Sequence, residues 1–479
     1  MLAGRRGEHG HSAAHAVASL DAFIALARAR IRHGDAQLLL IDDALAPRST
    51  SRSTVIRAPS RWPPSTRGRQ STAADLVMPP DDRAARHPAR YTSGSTSEPK
   101  GVMIPDRVLR ANLDAIAAAG NIDARDVAVS WLPLYHDMGL VGLLALPMTL
   151  GCQLVKPPQD FLARPGHWME WISTYDGDGE SQLLLESSPP LRPTPGPGSS
   201  DLSTMRIALS GARAGRPQRG RGVPRRSHQV RLSGSGVPAF GMTGAIGAAF
   251  PPRWGMVCDT VGRQRLETDR IAVPIEVTDP DDYALKARRL PYLGTAVPGL
   301  EFRIADPETR EPLPERHVGE LLIRGTSVTP GYYKREDATE ALFHDGWLCT
   351  GDLAYLLDGG ELILCGRIKD VIIVGGRNVF PEDIERACGV LDGVRAGNVI
   401  AFGVEGYKGK ESVVVVAEAR TEEPEAVREA IHHRTLEVCG LPPRDVILVQ
   451  PSTLPKTSSG KLQRAKCRED YLAETLTLL

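Results

Sequence analysis

One short turn constrains this 479-residue chain more than any other feature. It reads Tyr-Thr-Ser-Gly-Ser-Thr-Ser-Glu-Pro-Lys-Gly over residues 91–101 and continues as Val-Met-Ile. Six hydroxyl residues surround one glycine and Lys100 follows, so backbone N–H groups, hydroxyls and a cation can converge on phosphate oxygens. The GxxxxGK[ST] spacing of a P-loop is absent. The string therefore predicts a phosphate site of another kind, with a solvated polar turn as the alternative.

Composition narrows the class of protein and the kinds of partner. With 41% hydrophobic and 24% charged residues, the chain resembles an ordinary globular protein of two or three domains. Its 58 basic residues equal its 58 acidic ones, so bulk charge predicts neither nucleic acid nor an anionic membrane as partner. The longest apolar run, 141–155, is short for a bilayer, and no signal peptide is recognisable. We expect a cytoplasmic protein without a transmembrane segment.

The composition and the hydrophobic pattern of the sequence change at several points along the chain. Residues 1–90 form an atypical or truncated segment, with a helical pattern over 12–33 and a strand-like run at 38–41. Residues 44–74 contain no acid and six arginines, which predicts a disordered or poorly packed stretch. Strands and amphipathic helices alternate over 91–170, as in a parallel α/β sheet.

Two later regions differ from this pattern. The stretch 187–236 is rich in proline, serine and arginine, which is typical either of a flexible insertion or of a segment that has lost its folded pattern. Alternating runs at 300–304 and 319–324 predict two strands of a small β-rich unit. Residues 369–479 predict a small α+β domain, which leaves 91–368 as the large domain.

Further motifs follow the hydroxyl-rich turn in a fixed order. They are Trp131-Leu-Pro-Leu-Tyr-His-Asp-Met-Gly-Leu140, Phe240-Gly-Met-Thr243, Thr350-Gly-Asp352, Gly366-Arg-Ile-Lys-Asp370, Gly375-Gly-Arg-Asn-Val-Phe-Pro-Glu382 and Pro455-Lys-Thr-Ser-Ser-Gly-Lys461. Together with the turn, they resemble the signatures of the adenylate-forming superfamily, closest to fatty acyl-AMP ligases and acyl-CoA synthetases. The resemblance covers the chain from about residue 91 to its end.

The resemblance implies a fold class and an activity. The fold would be α/β, with a large N-terminal adenylate-forming domain of sheets, flanking helices and a small β-barrel-like unit, and a small mobile α+β C-terminal domain. The activity would be ATP- and Mg²⁺-dependent conversion of a fatty acid to acyl-AMP. The acyl group would then pass to the thiol of an acyl carrier protein, or alternatively to CoA. The segment 259–292 resembles an insertion of the ligase branch and favours the carrier protein.

The same resemblance assigns residues to roles. Lys461 and His136 would be catalytic, Lys461 by neutralising charge on the α-phosphate and carboxylate and His136 as a wall of the acyl tunnel. Thr92 would also be a metal ligand, and Lys369 with Asp370 would form the interdomain hinge. The nucleotide-binding residues would be Thr92, Ser93, Gly94, Ser95, Thr96, Lys100, Ser210, Gly211, Ala212, Phe240, Gly241, Met242, Thr243, Asp352 and Arg367.

Three departures from the family pattern limit the expected activity. Gly244 stands where a glutamate would help to hold Mg²⁺, and glycine has no side-chain oxygen to replace it. The segment before the turn is short, and 187–236 replaces expected elements of the acyl pocket. The alternative to an active ligase is therefore a catalytically defective relic that binds nucleotide or partners without turnover.

Overall fold

The structure is a computed structural model that describes most of the second half of the chain and parts of the first. The described residues are 38–42, 54–58, 89–91, 100–123, 125–132, 139, 152–155, 158–164, 167–175, 181–186, 201–202, 205–210, 231–232, 235–238, 240–250, 257–277, 286–406, 411–457 and 461–479. The helix expected within 12–33 lies outside them. Among these residues, no helix combines the length and the apolar character that crossing a bilayer requires.

Among the described residues before position 89, two strands occur. Strands β1 (Leu38–Asp42) and β2 (Thr54–Ala58) pair in parallel, with Leu38 opposite Thr54. The strand expected at 38–41 is therefore present. The second strand lies inside the stretch 44–74, for which the sequence predicts disorder or poor packing, so five residues of that stretch have regular structure instead.

A five-stranded parallel sheet follows, as the alternating pattern predicts. Its strands stand in the order β11-β9-β7-β5-β6 and all four neighbouring pairs are parallel. Of these, β9 (Met205–Ser210) lies within the stretch 187–236, whose composition is typical of an insertion or of a lost folded pattern, and β11 (Ser235–Pro238) begins at the end of that stretch. The bounds in this region are β3 Ala89–Tyr91, β4 Gly101–Met103, α1 Asp106–Gly120, β5 Asp126–Ser130, β6 Cys152–Val155, α2 Pro158–Ala163, α3 His167–Tyr175, β7 Ser181–Glu186, β8 Asp201–Leu202, β9 Met205–Ser210, β10 Arg231–Leu232 and β11 Ser235–Pro238.

Aromatic packing joins the helices to this sheet. The rings of Trp131 and Phe161 stack with centroids 3.9 Å apart, and Trp168 meets Phe161 edge-on at 5.9 Å. The indole Nε1 of Trp168 donates to the carbonyl oxygen of Val129, 3.3 Å away in β5. Because this polar atom is paired, the ring can be buried without losing a hydrogen bond.

The middle of the chain forms antiparallel sheets. The strands expected at 300–304 and 319–324 are present as β17 and β18 and pair along their whole length. They belong to a sheet of order β17-β18-β20-β19, with β21 paired to β20, and no described strand closes it into a barrel. The expected barrel-like unit is therefore an open sheet. The bounds are β12 Phe240–Met242, β13 Ala245–Phe250, β14 Cys258–Gly262, α4 Arg263–Asp269, β15 Ala287–Pro291, β16 Thr295–Ala296, β17 Leu300–Ala305, β18 Gly319–Gly325, α5 Glu336–Glu340, β19 Phe343–His344, β20 Trp347–Leu356 and β21 Leu362–Arg367.

The last part of the chain has apolar cores of its own. Two clusters of buried residues consist entirely of side chains between 372 and 476. One flanks each face of a three-stranded sheet in which β24 pairs antiparallel and β26 parallel with β25. The bounds are a 3₁₀ turn at Ile368–Asp370, β22 Ile372–Val374, β23 Arg377–Val379, α6 Pro381–Cys388, β24 Val394–Glu405, β25 Glu411–Ala419, α7 Pro424–Cys439, β26 Asp445–Val449 and α8 Arg464–Leu472.

Buried charges connect the segment 259–292 to this C-terminal part. The guanidinium of Arg288 in β15 is fully buried, with Nε 2.8 Å from a carboxylate oxygen of Asp383 in α6. It also donates to the carbonyl of Cys365 at 3.0 Å and lies 4.2 Å from the ring centroid of Phe380. Burial by itself would raise the pKa of Asp383, but the surrounding arginines, Arg288 first, hold it below its ordinary value.

A second contact of the same kind involves α4. Glu267 is 1% exposed and forms an ion pair with Arg377 of β23, while its backbone carbonyl accepts a hydrogen bond of 2.9 Å from Asn378. Arg263 of the same helix donates to the carbonyl of Val438 at 3.1 Å. The C-terminal residues therefore contact the segment 259–292 through charged groups whose separation would expose or orphan buried ions.

We expect Arg288→Leu to lower the free energy of unfolding by about 3–5 kcal/mol, because it leaves the buried carboxylate of Asp383 without its nearest cation. Thermal and urea unfolding of the purified variant measure this loss. Arg289→Leu on the exposed face of the same strand is the matched control and should cost far less. The double variant Arg288→Met, Asp383→Asn should be more stable than Arg288→Leu, since no unpaired charge remains buried; equal losses in all three variants would contradict the assignment.

Candidate active site

The hydroxyl-rich turn begins and ends on paired strands. β3 and β4 form an antiparallel pair in which Tyr91 lies opposite Gly101, so the two ends of the turn are held side by side. Lys100 lies at its end, with Nζ 5.2 Å from the ring centroid of Tyr332. The remaining candidates of the turn, Thr92, Ser93, Gly94, Ser95 and Thr96, lie outside the described residues.

The segment 329–333 fixes the strand that leaves this turn. Met103 N donates to the carbonyl of Gly331 at 2.9 Å, and Tyr333 N donates to the carbonyl of Gly101 at 2.7 Å. The hydroxyl of Thr329 donates to the carbonyl of Met103 at 2.6 Å. The sequence analysis did not single out this segment. Its signal is the string Thr-Pro-Gly-Tyr-Tyr between β18 and α5, in which turn residues precede two aromatics.

Thr329 also joins the turn to a second group of candidates. Its backbone N–H donates to the carbonyl of Gly244 at 2.9 Å. Gly244 follows Phe240, Gly241, Met242 and Thr243, which form β12 and the turn into β13. Phe240 is buried, Gly241 is exposed, and Met242 and Thr243 are half-buried. One threonine thus connects the strand after the hydroxyl-rich turn with the four candidates before Gly244.

The surroundings of Gly244 do not fit a magnesium site. The described residues that line this place provide hydroxyl and amide oxygens but no carboxylate, whereas Mg²⁺ in proteins is usually held through one or two carboxylates. Among the described residues, no cluster of three His, Cys, Asp or Glu side chains could hold a metal ion. The small pocket beside Gly244 is lined by Ile104, Val108, Leu109, Asn112, Thr243, Ser327 and Thr329.

A buried carboxylate and an exposed guanidinium face each other across two strands. Asp352 in β20 pairs in register with Arg367 in β21, and Arg367 Nε lies 3.0 Å from Asp352 Oδ1. The side chain of Asp352 is 10% exposed, whereas that of Arg367 is 57% exposed. Burial raises the pKa of Asp352 above its ordinary value, and attraction to Arg367 opposes that rise. The pair offers an incoming ligand a carboxylate acceptor and a mobile cation.

Lys461 lies at the end of a closed loop. Thr457 N donates to the carbonyl of Lys461 at 2.8 Å, and Lys461 N donates to the hydroxyl of Thr457 at 3.1 Å. Lys456 and Leu462 form an antiparallel bridge, and Lys461 itself is half-buried. The backbone at Lys461 is therefore held by neighbours on both sides of residues 458–460.

The two expected hinge residues lie between Arg367 and the C-terminal cores. Lys369 and Asp370 form the 3₁₀ turn that follows β21. Asp370 makes an ion pair with Arg464, the first residue of α8 and three positions beyond Lys461. The structure therefore connects the turn after Arg367 to the loop that carries Lys461, through an arginine that the sequence analysis missed.

Four further candidates of the first half of the chain remain predictions, as do those of the hydroxyl-rich turn. His136, Gly211 and Ala212 lie outside the described residues. Ser210 is the last residue of β9, where it pairs with Glu186 of β7 and Pro238 of β11, and its side chain is not described. Strand β9 therefore ends at the first of the three expected nucleotide-binding residues 210–212.

A profile of the AMP-binding enzyme family matches residues 12–333 of the chain. A protein of Mycobacterium tuberculosis named as a candidate ligase is 40% identical over 390 residues, which span 78% of this chain and 70% of that protein. A medium-chain-fatty-acid–[acyl-carrier-protein] ligase of Moorena producens is 31% identical over 407 residues, spanning 81% of this chain and 68% of its own.

Solved structures give the same fold. One from a study of fatty acyl-adenylate ligases of E. coli and L. pneumophila superimposes with a TM-score of 0.76 at 28% identity, covering 94% of this chain and 82% of that one. A second, the A-PCP part of McyG, superimposes with a TM-score of 0.70 at 23% identity, covering 96% and 70%. The second likeness bears on the fold alone.

We expect Gly244→Glu to destabilise the protein by about 1–3 kcal/mol, because overpacking strains a filled site. A Cβ at this position would lie 3.2 Å from Thr329 Cγ2 and 3.3 Å from Leu348 Cδ1. The hydrogen bonds of Thr329 keep that side chain from moving away. Differential scanning calorimetry of the variant and of Gly359→Glu, an exposed control with no other side chain closer than 3.9 Å, measures the difference.

The double variant with Thr329→Ser tests the cause. Serine keeps the hydroxyl that donates to Met103 and removes the methyl carbon in the way, so Gly244→Glu should cost less in this background than in the wild-type chain. If the cost is the same in both backgrounds, contact with Thr329 is not the source of the instability.

Proposed function

Because the chain belongs to the AMP-binding enzyme family, we propose that it activates a fatty acid with ATP and passes the acyl group to the thiol of an acyl carrier protein. The observation that carries this proposal is the Asp352–Arg367 pair. Arg367 directly precedes the turn Ile368–Asp370, and Asp370 contacts Arg464 at the base of the Lys461 loop. The names of the relatives support the substrate class, since the Moorena producens relative is a medium-chain-fatty-acid–[acyl-carrier-protein] ligase.

In the proposed first step, an oxygen of the fatty-acid carboxylate attacks the α-phosphorus of ATP. A new P–O bond forms, the bond to the bridging oxygen of pyrophosphate breaks, and pyrophosphate leaves with the electron pair. Two anions approach each other while charge grows on the phosphoryl oxygens, so correctly placed cations lower the barrier. We assign this role to the ammonium of Lys461, with Lys100 and the hydroxyl-rich turn at the terminal phosphates.

Asp352 and Arg367 have the complementary task of holding the nucleoside. An ionised carboxylate can accept hydrogen bonds from both ribose hydroxyls. Arg367, on the exposed side, can donate to the sugar or to the phosphate. In the proposed second step, the sulfur of the acceptor thiol attacks the acyl carbonyl carbon and loses its proton to solvent. The C–S bond forms as the acyl C–O bond breaks, and AMP leaves with the electron pair. Mg²⁺ is the usual partner of ATP in such chemistry, but the residues beside Gly244 do not fit it and no step here depends on them.

The acceptor and the activity are open to two alternatives. CoA is the other common thiol in this family, and the resemblance of the segment 259–292 to an insertion of the ligase branch supports the carrier protein. The missing carboxylate at Gly244 favours a chain that binds nucleotide without turnover. Both alternatives are decided by the assay that follows.

We expect the chain to form acyl-AMP from dodecanoate and ATP slowly, trapped as the hydroxamate, and Lys461→Ala to reduce the rate about 10²–10³-fold by removing a charge aimed at the transition state. Lys466→Ala, an exposed lysine on α8 paired with Asp470, is the control that should keep the rate. A holo carrier protein should discharge the intermediate faster than CoA. If Lys461→Ala keeps the activity as Lys466→Ala does, the role of Lys461 is contradicted. If the folded wild-type protein forms no acyl-AMP, the alternative of nucleotide binding without turnover is favoured.

Asp352→Asn should weaken binding of adenosine about 10-fold, because hydrogen bonds to a charged acceptor are worth about 1.5–3 kcal/mol. Adenosine is the probe because it lacks phosphates that titrate. Protonation of Asp352 should have the same effect as the substitution. Because burial raises the pKa of Asp352, the wild-type affinity should already fall at a pH above the ordinary pKa of an aspartate, and the affinity of the variant should not. Isothermal titration between pH 5 and 8 measures both, and equal pH profiles would contradict the assignment.

The thermal stability of Asp352→Asn distinguishes a site effect from damage to the fold. Asparagine keeps the shape of the side chain and removes a charge whose burial is unfavourable, so its melting temperature should equal or exceed that of the wild-type protein. A large fall in melting temperature would mean that weakened binding reflects unfolding instead.

A further inference from the structure

We propose that Arg464 is a positioning residue that ties the Lys461 loop to the turn after Arg367. This proposal rests on the role of Lys461 in the proposed function. Arg464 begins α8, and its guanidinium contacts carboxylates on two other elements. It pairs with Asp370 of the 3₁₀ turn, and its Nη2 lies 2.9 Å from Glu385 Oε1 and 3.3 Å from Glu382 Oε1, both in α6. One side chain thus connects three segments.

The cluster is partly shielded from water, so its contacts are worth more than those of a surface pair. The side chains of Arg464, Asp370, Glu382 and Glu385 are each only 17–21% exposed. Glu385 is in turn anchored to the central sheet of the C-terminal part, because its carboxylate accepts a hydrogen bond of 3.0 Å from Ala401 N in β24. Arg464 is therefore bound to a fixed framework and not to mobile surface groups.

The chain geometry explains how this contact acts on Lys461. Arg464 is three positions beyond Lys461 in the sequence, so the two Cα atoms are at most about 10 Å apart. The loop between Pro455 and Gln463 is closed by a hydrogen bond of 2.9 Å from Gln463 N to the carbonyl of Pro455. Fixing Arg464 consequently fixes the base of the whole loop, and the direction in which Lys461 leaves it.

The same separation in sequence occurs on the Asp370 side of the Arg464–Asp370 pair. Asp370 is three positions beyond Arg367, whose guanidinium pairs with Asp352. The Arg464–Asp370 pair therefore links two short segments of the protein. One carries Arg367, the partner of Asp352, and the other carries Lys461. Arg464 need not touch the substrates; it sets where Lys461 stands relative to Asp352.

Arg464→Gln tests the link through hydrogen exchange first. The amides of Thr457, Lys461 and Gln463 are hydrogen-bonded within the loop, and their exchange should become about 10-fold faster when the anchoring ion pairs are lost. Arg468→Gln on the same helix replaces an exposed residue that donates to the carbonyl of Gly403; it is the matched control and should leave loop exchange unchanged. Exchange in β24 and β25 reports whether the surrounding fold is intact.

Steady-state kinetics of acyl-AMP formation supply the second readout. Arg464→Gln should lower kcat about 10–100-fold, because displacing a group that acts on the reaction by about 1 Å can reduce the rate by that factor. KM for ATP should stay within about 3-fold of the wild-type value. Arg464→Lys keeps the charge but not the forked geometry and should recover part of kcat. A fall in kcat with Arg468→Gln of the same size, or a rise in KM alone, would overturn the positioning role.

The two readouts separate this proposal from the proposed function. If the wild-type chain forms no acyl-AMP, the proposed function fails, and the exchange data still decide whether Arg464 holds the loop. If acyl-AMP forms normally and loop exchange does not change in Arg464→Gln, the link is wrong while the proposed function stands.

Discussion

The arrangement of this protein depends on arginine–carboxylate pairs that are buried between segments distant in sequence. Arg288 and Asp383 are 95 positions apart and meet where water is excluded. Glu267 and Arg377 repeat this arrangement nearby. Removing such ions from water is costly, so each charged side chain can stay buried only while its oppositely charged partner is present. The segment 259–292 and the C-terminal part therefore fold against each other in one register, which in turn sets where the 3₁₀ turn and its neighbours lie.

Hydroxyl and backbone hydrogen bonds perform a similar task on the other side of the site. The side-chain hydroxyl of Thr329 holds the strand after the hydroxyl-rich turn. Its backbone N–H holds the turn before β13. These contacts need only one small residue, because both neighbouring segments expose backbone carbonyls at the same place. The site is thus supported by short polar contacts here and by long charged side chains at the C-terminal end.

The sequence predicted the regular elements well where side-chain alternation is clear. The strands at 300–304 and 319–324 are present within one residue at their ends, and the parallel sheet follows from the βα alternation. The barrel-like closure was wrong, because closure depends on which edges meet and no local pattern encodes that. Arg288 and Arg464 were not identified, because a charged residue in a strand or at a helix start predicts an exposed position until its distant partners are known. The roles of Asp352 and Lys461 came from the resemblance and remain predictions.

The packing around Gly244 has a consequence for how this chain can change. A Cβ at position 244 would lie 3.2 Å from a carbon of Thr329 and 3.3 Å from a carbon of Leu348. An acidic residue there would have to push one of these neighbours aside, so its effect is coupled to the size of residue 329. The order of two such substitutions therefore decides whether the chain passes through a less stable intermediate sequence.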